Sequence, residues 1–414
     1  MVEEQFDITI TWTTTSPLHL GNGETKELTR DGHNEPIEYA PVVRDGDDKP
    51  YLTGSTLKGA LNALAEQYFP DENTARAVLF GLISDQAQGS MGRLLVYGGA
   101  LEQAPAVDQM PYADPSRPHT FIAASTQIDD ASGVAGDHLL FHQEQVPADA
   151  RFVTRMVLLV PQDSEAHGLA RRLFALVARD GLSIGKATSA GNGQLHVGNA
   201  ITVQHRKLDH TGSFTNWPVP DFINVEAPKS PLVSHAVYLH CDGPCIVRDA
   251  SVTERQEGDN AQVKAQRMGL ASPLIPPSTI KGVLRSRLEW LLQCAGHDKT
   301  LADTIFGTTD AAALVDVRNI AVSDGEAMDI TSVKLDSFTG GPVDGALFTM
   351  NCFLDVSLSF DLTINRRGAV QEDVGKALEM LVAEIRQNGL MIGAATNRGF
   401  GWFQTEGEGH HASG

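Results

Sequence analysis

Two short motifs whose residue types could grip a phosphate each occur twice in this chain. Gly54-Ser55-Thr56-Leu57-Lys58-Gly59-Ala60-Leu61 returns as Pro277-Ser278-Thr279-Ile280-Lys281-Gly282-Val283-Leu284. Hydroxyls, an ammonium and free N–H groups at a helix start form an anion site, because the helix dipole adds partial positive charge there. The second motif is a glycine loop, Ser183 to Gly193, which returns as Met391 to Gly401. Gly185, Lys186, Ser189 and Gly191 of one copy, with Gly393, Asn397, Arg398 and Gly399 of the other, suit a sugar–phosphate backbone held by successive amides and a cation. A single copy of either motif reads as an ordinary helix start or turn. Recurrence in the same order, about 130 residues apart in the first half and about 110 in the second, argues for shared chemistry. The Gly-x4-Gly-Lys-Ser/Thr spacing of a P-loop is missing from both copies and from Gly181–Thr188, which excludes that kind of nucleotide hydrolase.

The elements that must carry these motifs repeat as well. In the first half Phe6, Ile8, Ile10 and Trp12 alternate on a strand, and a long polar loop spans Gly21 to Asp48. A helix follows from about Ser55 to Phe69, with Leu57, Leu61, Leu64 and Tyr68 as its apolar stripe and Ser55 or Thr56 as N-cap. Strands at Arg93–Tyr97 and Phe152–Val160, then a helix at Glu165–Arg179 ended by Gly181, lead into the glycine loop. The second half offers Val237, Leu239 and Cys241 on a strand, a helix after Ser278, a strand from Met350 to Phe360 and a helix with Val374, Leu378, Leu381 and Ile385. The order β-α-β-β-α-β in each half is the ferredoxin-like arrangement, and a repeat of this length is a duplicated domain. The fold class expected is therefore α+β, with a first domain over 1–207, a proline-rich linker over 208–232, a second domain over 233–406 and a disordered tail over 407–414.

Composition narrows the function. The 414 residues carry 52 acidic and 32 basic side chains, a net charge of −20, which argues against a free-standing nucleic-acid binder but not against a subunit that grips one backbone through local donors. No apolar run approaches the roughly 18 residues of a membrane span, and the acidic Met1–Phe6 segment has no signal-peptide character. Cys241, Cys245, Cys294 and Cys352 suit a reducing cytoplasm and offer no paired zinc spacing. His138 and His142 stand four apart in a non-helical stretch and read as solvated or RNA-facing rather than as a metal pair.

The two motifs, together with Leu79-Phe80-Gly81 and its repeat Ile305-Phe306-Gly307, resemble the RAMP superfamily of CRISPR systems. The closer resemblance is to the backbone subunits of type III effector complexes, in the tandem form of type III-D variants. It covers nearly the whole chain. It implies two modified RRM-like domains that bind guide RNA along its backbone, each with a β-hairpin thumb that passes through the guide–target duplex. The implied partners are CRISPR guide RNA, complementary target RNA and other type III effector subunits, with no membrane. Thumb candidates are the stretch from Thr126 through Asp129 to Leu139, Leu140 and Phe141, and the stretch from Thr331 through Phe338 to Phe348. Apolar residues there would wedge against unstacked bases.

The resemblance also implies metal-dependent cleavage of target RNA by an aspartate between the first strand and the Ser-x-Leu-Lys-Gly helix. A carboxylate beside a scissile phosphate recruits a divalent ion, here Mg2+, and the ribose 2′-OH can serve as nucleophile. In the first half the implied position falls near Glu38-Tyr39, so Asp31 is the substitute there. In the second half, matching Asp259–Lys264 to Tyr39–Arg44 puts Asp259 at that position, and Asp249 is the alternative nearer the first strand. The main reading is thus a guide-binding backbone subunit that cleaves target RNA. A non-catalytic RNA-binding scaffold and an unrelated enzyme on duplicated ferredoxin-like domains remain open, the last predicting small-molecule binding and no affinity for RNA.

Overall fold

The computed structural model describes residues 4–405 apart from 30–35, 83–88, 109, 111, 115, 129–134, 199–200, 209–211, 219–221, 223–224, 227–232, 249–260, 264, 267–271, 309 and 365–371. The first domain runs β1 (Glu4–Thr14), β2 (Ile37–Ala40), α1 (Gly54–Tyr68), α2 (Asn73–Phe80), β3 (Leu94–Gln103), β4 (Phe121–Ile128), β5 (Ala135–Gln145), β6 (Arg151–Leu158), α3 (Glu165–Asp180) and β7 (Gln194–Val197). Its core sheet has the antiparallel order β7-β1-β6-β3, the fourth, first, third and second strands of a ferredoxin-like domain. Period-two alternation puts Phe6, Ile8, Ile10 and Trp12 fully inside. Leu57 and Leu61 of α1 and Leu169, Leu173 and Phe174 of α3 close the same core from one face. The buried Trp12 indole N–H donates to Thr154 Oγ1 on β6 at 3.1 Å, so the largest core side chain leaves no unmet donor.

The second domain repeats the plan with β10 (Ser234–Cys241), β11 (Ala261–Val263), α4 (Pro277–Cys294), α5 (Thr300–Phe306), β12 (Val315–Val322), β13 (Glu326–Leu335), β14 (Pro342–Leu354), β15 (Val356–Ile364), α6 (Glu372–Asn388) and β16 (Trp402–Phe403). Its sheet has the order β10-β15-β12, and Gln404, next to β16, bridges His240 on the free edge of β10. In each domain a second, smaller sheet stands apart from the core sheet: the β4–β5 hairpin with β2, and the β13–β14 hairpin with β11.

Two sequence expectations change. The single strand expected over Met350–Phe360 is two strands broken at Asp355, whose φ is 58°. That left-handed residue lets the chain leave the hairpin sheet at Leu354 and enter the core sheet at Val356. The segment expected as a linker from 208 is partly built into the first domain. β8 (Thr202–Leu208) pairs with the Glu4–Thr9 half of β1, β9 (Phe214–Trp217) pairs with β8, and Phe222 is buried against Phe6, His167 and Phe174. The linker reading rests on Pro218, Pro220, Pro228 and Pro231, all of which follow β9, an exposed edge strand.

His167 makes this corner sensitive to acid. It is buried beside the Phe6 ring, and burial, helped by the nearby Arg171 charge, lowers its pKa from 6.5 to about 4. The unfolded chain therefore binds more protons below pH 6.5, and stability is lost as pH falls from 6.5 towards 4. His167→Phe should flatten that loss by up to about 3 kcal/mol between pH 7 and pH 4.5, read by denaturant unfolding of both proteins at both pH values.

Among the described residues no helix is long and apolar enough to cross a membrane.

Candidate nucleic-acid interface

The repeated helix starts are alike in place and different in partners. α1 is capped by Thr53, whose Oγ1 accepts from the Thr56 amide at 3.4 Å; the sequence expectation of Ser55 or Thr56 as cap is off by two or three residues. Gly54 is required there because a Cβ would stand 2.3 Å from the Val96 carbonyl of β3. Ser55 and Gly59 are exposed, Thr56 and Lys58 half-buried, and Lys58 has no ion pair among the described residues. α4 starts on Pro276-Pro277, which have no N–H to satisfy, and no side chain caps it. Ser278 and Gly282 are exposed and Thr279 half-buried. Lys281, however, turns into the protein and donates from Nζ to Ser189 Oγ at 2.7 Å, and burial lowers its pKa despite the opposing pull of Asp316.

That bond shows where the first glycine loop goes. Its short turn, Thr188–Ala190, packs on α4 and β12 of the second domain, and a Cβ on Gly191 would lie 2.8 Å from both the Val317 carbonyl and Ile320. Ser189 and Gly191 are thus interdomain residues. The second loop's turn, Thr396–Arg398, leaves Asn397, Arg398 and Gly399 exposed.

Both loops are built alike. Ile184 N–H donates to Gly193 O and Ile392 N–H to Gly401 O; Gly193 and Gly401 donate to Pro17 O and Pro244 O. Ala187 and Ala395 are left-handed at φ 59° and 58°. The amides of Ala190, Gly191 and Asn192, and of Arg398, Gly399 and Phe400, bond back to residues 187–188 and 395–396. The expected track of successive free amides is therefore largely used up within the turns, and the outward chemistry falls to side chains.

Those side chains meet the hairpins. Lys186 Nζ sits 5.4 Å from the Phe141 ring centroid, and Arg398 Cζ sits 5.4 Å from that of Phe348. Phe141 and Phe348 are equivalent, since each lies five residues ahead of the bridges Val146–Leu18 and Phe353–Cys245. The cations are not equivalent: one leads its turn and the other ends it. Two different loop positions thus place a cation over the same hairpin aromatic, an arrangement worth about 0.5–2 kcal/mol as desolvation grows.

Between the domains lies a groove of about 80 Å³ lined by Lys186, Asn192, Phe141, Gln143, Pro277 and Ser278, among others. Among the described residues Gln143 Oε1 and Asn192 Oδ1 have no hydrogen-bond partner although both residues are 4% exposed. A buried amide oxygen without a donor costs free energy until something supplies one. A cation, an uncapped helix start, aromatic faces and two unmet acceptors suit a ligand with phosphate, flat ring and N–H donors together. Lys186 and Ser278 were legible in the repeats; Gln143 carried no sequence signal, and Asn192 only its place in the loop.

The hairpins place the other expected residues. Phe338 is 96% exposed in the turn between β13 and β14, at the tip. Leu140 and Phe141 are exposed and lie along β5, level with Thr126 and Ser125. Asp129, Asp31, Asp249 and Asp259 lie outside the described residues, and of Leu139 only the backbone on β5 is described. The strand pairing also resets the match between the domains. Tyr39 pairs with His142 and Gln262 with Thr349, while Val43 and Gln266 donate to Leu20 O and Val247 O. Gln262, not Asp259, therefore stands level with Tyr39, a shift of three residues that short motif matching across a variable loop did not reveal. Among the described residues no cluster of His, Cys, Asp or Glu is arranged to hold a metal ion.

The RAMP superfamily model matches residues 11–196 and 194–404, and the chain belongs to that superfamily as a tandem pair. No curated protein matches it significantly. Among solved structures it is similar to a chain of the type III-B Cmr-beta assembly, from the cryo-EM structure of its apo state. The identity is 14% and the TM-score 0.35, over 48% of this chain and 97% of that one.

Proposed function

We propose that the chain is a double backbone subunit of a type III CRISPR effector, that each domain holds guide RNA, and that complementary target RNA is cleaved from the second domain with a divalent ion, Mg2+. The observation that carries guide binding is the interdomain groove, where Lys186, the start of α4 and the unmet oxygens of Gln143 and Asn192 converge. Phosphate contacts position a polynucleotide without reading its sequence, and stacking on aromatic faces is tolerant of base identity. The net charge of −20 does not oppose this, because a subunit can grip one backbone through local donors such as Lys186 and leave its other faces acidic. Cleavage rests on the family resemblance and on the two aspartates that precede β11, and no resident metal set among the described residues supports it. A scaffold that binds guide RNA without cutting is the second reading, favoured by Tyr39 and Gln262 at the paired loop positions.

Guide binding is tested by the salt dependence of affinity. Lys58→Ala and Lys186→Ala should each weaken binding of the assembled complex to guide RNA across sequences and reduce the slope of log K against log salt by about 1. Lys281→Ala should lower affinity with the slope unchanged, because its ammonium is engaged by Ser189 rather than by solvent. Unchanged slopes in the first two variants would count against the phosphate-holding role.

A further inference from the structure

A buried carboxylate on the first thumb has no catalytic or RNA-facing role and yet gathers several elements. Glu144 of β5 is 0% exposed. Its Oε1 accepts from Arg44 Nη2 at 2.5 Å, Thr120 Oγ1 at 2.7 Å and Arg117 Nη1 at 3.2 Å, and its Oε2 accepts from the Val42 amide at 2.9 Å. Arg44 and Val42 belong to the strap between β2 and α1. Thr120 and Arg117 belong to the loop entering β4. Arg117 also covers the ring of buried Tyr39 at 5.1 Å. The Glu144 backbone carbonyl further contacts His19 Nδ1 at 2.7 Å, beside the root of the first glycine loop. One carboxylate therefore ties the thumb, the strap and the entry loop into one unit. These donors hold Glu144 ionised against the desolvation that burial imposes.

The second thumb carries no carboxylate at the equivalent position. Counting two residues back from the equivalent bridges at Val146 and Phe353 puts Asn351 where the first thumb has Glu144. Asn351 Nδ2 donates to Asp329 Oδ1 at 2.7 Å on the neighbouring strand β13, a bond inside the hairpin. We propose that Glu144 is a positioning residue that clamps the first thumb to the body of its domain. The consequence for guide RNA rests on the reading given above: the first thumb holds a fixed angle to the nucleotide it displaces.

The test is hydrogen exchange on the full chain, wild type beside Glu144→Gln and Thr120→Val. Glu144→Gln keeps the shape and takes from half-buried Arg44 and Arg117 the carboxylate they share, leaving each only a 3.8 Å pair, with Asp48 and with Asp114. Exchange over residues 121–125 and 140–145 should accelerate by about tenfold or more, while 346–354 stays unchanged. Thr120→Val removes one donor without stranding a charge, and should shift the same amides in the same direction by less. Equal exchange in all three proteins would overturn the clamp, and so would equal acceleration of both thumbs in both variants. A second readout is 2-aminopurine placed singly along the guide RNA in the assembled complex. Glu144→Gln should lower the unstacking signal at the first thumb's nucleotide and spare that at the second. A wild-type complex that unstacks no guide base would defeat the guide-binding reading, and the exchange result would still decide the clamp.

Discussion

Alanine at Asp259 is expected to remove one Mg2+-dependent cut from complementary RNA in the reconstituted complex, slowing that cut by at least about 100-fold. A carboxylate-held ion that neutralises charge at a phosphate contributes several kcal/mol to the transition state, and each 1.4 kcal/mol is about tenfold in rate. Asp259 lies two residues ahead of Ala261, which pairs with Phe348 on the second thumb. Asp249 follows Arg248, which bridges Ala265 just past β11. Asp249→Ala is the matched variant, and EDTA should remove the same cut that the true aspartate supports. A full cut pattern in both variants, with the complex intact, would leave the chain as a scaffold. Asp31 in the first domain is expected to have the smaller effect, because the implied position there is occupied by Glu38-Tyr39, with Tyr39 buried under Arg117, and not by an aspartate.

The second large effect is on the glycine loops. Gly193→Ala and Gly401→Ala should each cost about 3 kcal/mol and lower the unfolding midpoint measurably. Gly193 and Gly401 have φ of 68° and 67°, and a Cβ would stand 1.9 Å from Ile184 O and 2.0 Å from Ile392 O. Those carbonyls accept no alternative position, because the amides of Ile184 and Ile392 bond back to the same glycines. The backbone must move, taking Lys186 or Arg398 off its aromatic. Gly399→Ala is the internal control: its φ is 85° but nothing stands within 4 Å of the new Cβ, so about 1 kcal/mol is expected. Equal losses in Gly399→Ala and Gly401→Ala would mean that backbone conformation alone, and not the close carbonyl, sets the requirement.

Local constraints were legible and long-range ones were not. The duplicated domains could be read because Gly185, Gly193 and their repeats must sit at positive φ, and because the helices keep their 3.6-residue stripe in both halves. The strap register could not, since Tyr39 pairs with His142 about a hundred residues away and the choice is made by strands in contact, not by neighbours in sequence. Lys281 illustrates the limit further. Its motif is a faithful copy of that at Lys58, yet its partner is Ser189, a residue of the other repeat that only docking brings near. The inclusion of Phe222 in the first core was hidden because one aromatic in a proline-rich stretch carries no period.

The bond from Lys281 to Ser189 joins two units that share one polypeptide. For separate proteins, such a contact would form in proportion to their abundance. Here the tether replaces abundance with a local concentration set by the length of chain between the units, commonly in the millimolar range for short tethers. The pairing of these unlike units is thus insensitive to expression level or dilution. Their stoichiometry is one to one by covalent necessity, and their order along any template is decided at translation.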